Sequence, residues 1–414
     1  MSNKYSKEND NADALEHYSR SQVKEFKMNY RTEEALLEVN NALNLNPKFA
    51  EAYTLRSELY EKMKLYDQAL EDVNYSISIN NNNAESYYQR ATIYWRKQLF
   101  DKALEDCQTC LEINTTFSMA YNRIGSTIFD DMNERHQALY YYNQAIEIDG
   151  NCYQAFMSRG LYYMDERKTE HALRDFNQAI ELNPKYCLSF INRGKLYDQI
   201  DDKPKALNDC NQAIQLDPNN AQGYFYRGNC YFSLGELEKA LNDYNQAIYL
   251  DPNYACAYSN RGNVYGYIGE QEKALNDFNQ AIYLDPNDAI TFYNRGLLYE
   301  KLGDKSKALN DYNQSIQFDP NDAKTYYKRG NLYYNIGEQE KSLKDYNQSI
   351  QLDPNYPYVY SDRGNLYYNI GDKSKALKDL NQAIQLNPNF AQAYYYRGNY
   401  YQSQYFRQFI LQYW

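Results

Sequence analysis

Large and small apolar positions recur along this chain on a fixed beat. Tyr231, Tyr265, Tyr299, Tyr333 and Tyr367 form one series, and Tyr244, Phe278, Tyr312, Tyr346 and Leu380 form a second. Two series of small residues run beside them. One is Ala172, Ala206, Ala240, Ala274, Ala308, Ser342 and Ala376; the other is Ala179, Ala213, Ala247, Ala281, Ser315, Ser349 and Ala383. Each series repeats every 34 residues. Glycines from Gly160 to Gly398 and prolines from Pro184 to Pro388 keep the same interval. That interval is the length of a helix–turn–helix unit, so the pattern predicts an array of paired helices.

Each position has a physical reason. A mid-helix glycine costs about 1 kcal/mol relative to alanine. Eight at one phase must therefore be offset, and close helix approach is the expected gain. The small residues of the second helix are expected at the same crossing, with the large residues filling the gaps. Gly235, Gly269, Gly303, Gly337 and Gly371 fall between the helices, where a left-handed residue ends a helix. An Asp-Pro or Asn-Pro ends the second helix. Asn219, Asn253, Asn287, Asn321 and Asn355 follow and are expected to cap the next one.

Tyr224, Gly228, Tyr231, Ala240, Tyr244, Ala247 and Pro252 stand in the order aromatic–Gly–Tyr–Ala–aromatic–Ala–Pro. This pattern resembles the tetratricopeptide repeat (TPR) family. Arg227 departs from it, since the family usually has leucine before the glycine. Full repeats are read over 16–49, 50–83, 84–117, 118–152, 153–186, 187–220, 221–254, 255–288, 289–322, 323–356 and 357–390, with a partial one over 391–414. Residues 1–15 read as a polar, disordered segment. Repeat 118–152 is one residue longer, in the turn region FDDMNERHQ. The resemblance implies an all-α fold, a right-handed superhelix whose first helices line a concave face.

Arginine fills one position in ten repeats, Arg227, Arg261, Arg295 and Arg329 among them. Sixteen residues after nine of them stands an aspartate, as in Asp243, Asp277, Asp311 and Asp345. Repeat 118–152 has Ile124 and Tyr141 instead, so both charges are lost together. Joint loss predicts pairing within a repeat, because the planar guanidinium grips a carboxylate with two bonds. An arginine row that binds an acidic ligand is the functional alternative. The first repeat carries Gln22 and Glu38 at these positions.

Composition narrows the chemistry. The net charge of −11 disfavours a nucleic-acid-coating surface. No run approaches 18 apolar residues, so no membrane span is expected. The opening MSNKYSKENDNADALEHYSR lacks an apolar core, and a cytoplasmic location is the expectation. Cys107 and Cys110 form a CxxC without a second ligand pair and read as packing residues. His17, His136 and His171 are scattered, and no phosphate loop or nucleophile elbow occurs. No cofactor, metal or catalytic residue is expected, and the chain reads as a non-enzyme.

The remaining candidates flank the arginine and glycine on the first helix. They are Asn229, Asn263, Asn331, Asn365 and Asn399 after the glycine, and Asn192, Asn260 and Asn294 before the arginine. Asparagine rows donate and accept hydrogen bonds to an extended backbone. The ladder resembles that of the superhelical domain of O-GlcNAc transferase, split here across two positions. Tyr293, Tyr327 and Tyr334 interleave with it and offer contact area at low entropic cost. Chaperone-binding TPR domains hold an acidic C-terminal peptide in a five-residue clamp. By position that resemblance falls on Ser259, Asn263, Asn294, Lys324 and Lys328, with Ser259 replacing a lysine.

At the end of the chain, YYQSQYFRQFILQYW replaces the turn and second helix. Three readings stand: a cap that folds back, a homodimer interface through the apolar tail, or a truncated array. The leading expectation is a scaffold that binds peptide or protein segments in a concave groove. A co-chaperone adaptor, and a regulatory or targeting subunit of an enzyme or of a ciliary or cytoskeletal complex, are the alternatives.

Overall fold

The computed structural model describes residues 13–20, 32–130 and 135–413, with side chains described as far as Gln402. Gln22 and part of the turn FDDMNERHQ lie outside the described residues, while Glu38 is bonded to His17 Nδ1 at 2.6 Å. Every regular element among the described residues is an α-helix. They fall into two compact units, up to Cys230 and from Tyr231 onward. The first unit contains the pairs Ala50–Lys62 with Tyr66–Ile79, Ala84–Arg96 with Phe100–Ile113, and so on to Cys187–Gln199 with Lys203–Leu216. The second contains Ala255–Ile268 with Gln271–Leu284, Ala289–Lys301 with Lys305–Phe318, Ala323–Asn335 with Gln339–Leu352, and Pro357–Asn369 with Lys373–Leu386. Within each unit the helices of a pair pack together, and each second helix packs on the next first helix. Both units are therefore α-α solenoid segments, in which each repeat buries its apolar surface against its neighbours.

The turn glycines do what their position requires. Gly235, Gly269, Gly303, Gly337 and Gly371 have φ between 77° and 90°. The equivalent residues of earlier repeats are Lys64, Gln98, Arg167 and Asp201, forced into the same left-handed region with φ of 57–63°. The expected caps need correction by one residue. Asn253, Asn287, Asn321 and Asn355 donate their backbone N–H groups to the Asp side chain two positions earlier, at 3.0–3.2 Å. That Asx turn occupies the Asp-Pro-Asn step, so the helix begins later. The capping carboxylates are Asp288 and Asp322, which accept from Ile290 N and Lys324 N.

The helix crossing also differs in detail. The mid-helix glycine is met chiefly by the aromatic ring sixteen residues later. A Cβ on Gly296 would stand 2.8 Å from Tyr312 Cε1, and one on Gly330 would stand 2.9 Å from Tyr346 Cδ1. The small residues close the same gap: the Ala274 carbonyl would lie 3.3 Å from a Cβ on Gly262. The first-helix tyrosines Tyr265, Tyr299, Tyr333 and Tyr367 are only half-buried, with Tyr265 and Tyr299 packed against the edge of the core. Their places are taken by Val264, Leu298, Leu332 and Leu366, one residue earlier and buried. Helical geometry turns neighbouring side chains about 100° apart, so one position decides which is inside.

Those tyrosines also serve the arginines. In eight repeats the arginine Nε and Nη2 donate to the two carboxylate oxygens of the aspartate sixteen residues on, at 2.6–2.8 Å. Arg261 is also flanked by Tyr258 and Tyr265, whose ring centroids lie 5.4 and 5.9 Å from Cζ. Its third nitrogen, Nη1, reaches Asn245 Oδ1 of the preceding repeat at 2.7 Å. The same bond recurs from Arg56–Asn40 to Arg397–Asn381, at 2.5–2.9 Å. The sequence Asp-x-Asn on the second helix thus serves two arginines, its own and the next. Where Ile124 replaces the arginine, the preceding repeat has Gln108 in place of asparagine. Arg227 lies in the first unit and holds Asn211 at 2.8 Å, while Asp243 lies buried in the second.

The last helix runs without interruption over Ala391–Tyr413. The chain does not turn at Tyr405, where other repeats have glycine, so no second helix folds back there. The side chains of Phe406, Phe409, Ile410, Leu411 and Trp414 lie outside the described residues.

Candidate peptide-binding face

The arginine and the glycine are used in packing, so the positions around them carry what varies. Asn192 and Asn229 lie half-buried on first helices of the first unit. Asn260, Asn263, Asn294, Asn331, Asn365 and Asn399 lie half-buried on those of the second. Lys324 is exposed, and the Lys328 ammonium sits 5.9 Å from the centroid of Tyr327.

Several of these residues are brought together between helices Ala289–Lys301, Ala323–Asn335, Pro357–Asn369 and the start of Ala391–Tyr413. A cavity of about 220 Å³ opens there, lined by Glu300, Asn331, Tyr334, Asn335, Tyr346, Asp362, Asn365, Gln392 and Tyr396. Its walls are joined by hydrogen bonds. Tyr346 Oη donates to Asn331 Oδ1 at 2.6 Å, and Tyr327 Oη donates to Asp362 Oδ2 at 2.7 Å. Gln392 Nε2 donates to Asp362 Oδ1 at 3.1 Å. Asn365 and Asn369 both donate to Tyr334 Oη, at 3.3 and 2.6 Å. Asn365 and Asn369 thus reach Tyr334 of the preceding repeat, while Asn331 is held by Tyr346 of its own, so these asparagines do not form a free ladder.

Burial tunes these groups. It pushes the Asp362 carboxyl above its ordinary range, opposed by hydrogen bonds from Tyr327 and Asn331 and by the charge of Lys328. Burial likewise raises the Tyr293 hydroxyl to about 12. Tyr293 leans on Tyr312 at 6.1 Å, and Tyr327 on Tyr346 at 6.3 Å, so both tyrosines contribute to packing.

Of the five clamp positions, Ser259 is turned away from the face. Ser259 is 3% exposed and accepts a hydrogen bond from Thr291 Oγ1 at 2.7 Å. It belongs to a buried hydroxyl contact between repeats and presents nothing to a ligand. Asp362, Glu300, Gln392 and Tyr396 were missed as site residues. The available signal was Asp362 itself, an acid in a position held by Asn260, Asn294 and Lys328 elsewhere.

Cys107 and Cys110 are fully buried thiols, each pushed up to about 12 by burial. Among the described residues no cluster of three His, Cys, Asp or Glu side chains is arranged to hold a metal ion. No helix among them is long and apolar enough to cross a membrane.

Family comparison agrees with the geometry. Models described as TPR repeat match residues 228–269, 267–303, 301–337 and 330–371. Models described as tetratricopeptide repeat match 50–83, 84–117, 153–186 and 189–220, as well as 210–242 and 357–390. The chain belongs to the tetratricopeptide repeat family. No curated protein matches this TPR chain in sequence. Among solved structures it is similar to the APC/C hetero-tetramer Cut9–Hcn1, with a TM-score of 0.55 at 12% identity over 89% of this chain and 93% of that one. Yeast Tom70 aligns with a TM-score of 0.49 at 14% identity, covering 95% of this chain and 96% of that one. At such identity the first likeness establishes the TPR solenoid fold alone.

Proposed function

We propose that this TPR protein is a scaffold that takes up extended protein segments along its first-helix face. One contrast carries the reading. The Arg, Asp and Asn framework barely changes from repeat to repeat. The residue just before the arginine reads Ser158, Asn192, Tyr226, Asn260, Asn294, Lys328, Asp362 and Tyr396 in successive repeats. Invariant support beneath a varying surface suits recognition of an irregular peptide, one side chain per repeat. The half-buried amides and hydroxyls supply both donors and acceptors for a peptide backbone.

The test places a photo-crosslinking residue in the full chain at Asn294, on this face, or at the exposed Lys307 of the second helix. Each variant is mixed with peptides selected for binding. Crosslinks from position 294 and few from 307 support the scaffold reading. Crosslinks from 307 alone overturn it. An acidic C-terminal chaperone peptide belongs in the same panel, because Asn263, Asn294, Lys324 and Lys328 remain on first helices even though Ser259 does not reach a ligand.

A further inference from the structure

We propose that the cavity around Asp362 is a pocket for the cationic side chain, arginine or lysine, of a bound protein segment. This deepens the scaffold reading and rests on it. The cavity, at about 220 Å³, is smaller than the roughly 300–1,000 Å³ of small-molecule pockets and suits a single side chain. Two carboxylates line it, Asp362 from one first helix and Glu300 from another two repeats earlier. Neither forms an ion pair among the described residues, whereas the framework aspartates are each paired with an arginine.

The hydrogen bonds at the Asp362 carboxylate leave room for more. Its oxygens accept from Tyr327 and Gln392, with Asn331 a further donor and the Lys328 charge nearby, and a carboxylate has about four acceptor directions. Glu300 accepts from Tyr312 Oη at 2.8 Å and is likewise unsaturated. Aromatic walls complete the chemistry, since cations favour tyrosine faces when partly desolvated.

The chain itself shows what such a set binds. Arg329 is held by the Asp345 carboxylate between the rings of Tyr326 and Tyr333, with an amide oxygen from Asn313. Carboxylate, tyrosine rings and amides recur around Asp362, where the chain supplies no arginine of its own. Burial raises the Asp362 carboxyl, and an arriving cation would offset that penalty.

The experiment uses the intact chain and a display library of random twelve-residue peptides. Selected peptides are compared with versions in which each arginine or lysine is changed to glutamine. They are also measured against Asp362→Asn and Glu300→Gln, with thermal melts confirming that each variant folds. The expected result is a basic residue enriched at one peptide position. Its loss should weaken binding by about tenfold or more, and Asp362→Asn should abolish the preference. Peptides that crosslink to position 294 yet are indifferent to the basic residue, or keep the preference in both carboxylate variants, overturn the cation pocket and leave the scaffold reading standing. A library that yields no binder to the first-helix face overturns both. Should Asp362→Asn fail to fold, Glu300→Gln and the peptide-side substitution decide the matter.

Discussion

Arg261 holds both oxygens of Asp277 at 2.7 Å, through Nε and Nη2. The aspartate side chain is 9% exposed and the arginine 18%. Removing one member strands a largely dehydrated charge. Arg261→Ile alone should cost about 2–4 kcal/mol, less than a fully buried pair because the guanidinium keeps some water. The chain already contains the neutral solution, for Ile124 packs in a cluster with Tyr141. Arg261→Ile combined with Asp277→Tyr should therefore recover most of the loss. Urea unfolding of the four chains of this double-mutant cycle measures the coupling; additive effects would refute the pairing.

The mid-helix glycines should differ in tolerance according to their partner. Gly296→Ala drives a methyl group to 2.8 Å from the Tyr312 ring and should destabilise by about 1–3 kcal/mol. At Gly194 the residue in the ring position is Cys210, and a Cβ would meet the Ala206 carbonyl and Asp209 Cβ at 3.3 Å and the Cys210 sulfur at 3.4 Å. Gly194→Ala should be neutral within about 1 kcal/mol, since alanine also favours the helix. Thermal melts of the two variants test the ranking, and equal losses would place the constraint elsewhere.

The turns offer a gain. Arg167 sits at φ 57° where later repeats have glycine. Arg167→Gly should raise stability by about 1 kcal/mol by relieving left-handed strain, and Gly303→Ala, at φ 81°, should lower it by a similar amount. Both shifts are readable as changes in the urea midpoint with unchanged slope.

Thiol chemistry should separate the cysteines by burial. Cys256 is exposed, while Cys107 and Cys110 are buried with thiols pushed up to about 12. The thiolate is the reactive form, and at pH 8 a thiol with that value is almost wholly protonated. Labelling of the native chain at pH 8 should therefore modify Cys256 first and leave Cys107 and Cys110 until unfolding. Rapid loss of Cys107 in peptide mass maps would contradict the packing assigned to it.

Much of the architecture was legible because it is periodic. Gly262, Ala274, Phe278 and Pro286 recur at one interval, and a short helix pair has few ways to bury such a set. The shared absence of charge at Ile124 and Tyr141 identifies the ion-pair partners from the sequence alone. The second partner of each arginine was equally periodic, in Asn245 and its equivalents, but abundant asparagine concealed it. Gln108 was the informative exception.

The site was less legible, because it depends on which uncommitted side chains meet. Asn331 reads as a free groove residue in sequence, yet Tyr346 donates to it at 2.6 Å. Ser259 reads as a clamp position, yet it is buried against Thr291. Helical phase resolves a residue to within a face, while contact across repeats depends on the stagger between helices, which no single repeat encodes.

By itself the sequence determined the helix pairs, the left-handed turns and the pairing of Arg261 with Asp277, since each is set by local geometry or by covariation inside one repeat. Only the tertiary structure decided that Arg261 also reaches back to Asn245, that Val264 and not Tyr265 enters the core, and that Glu300 and Asp362 share a cavity. The first and last of these relations join residues from different repeats, and they exist only once the repeats are stacked.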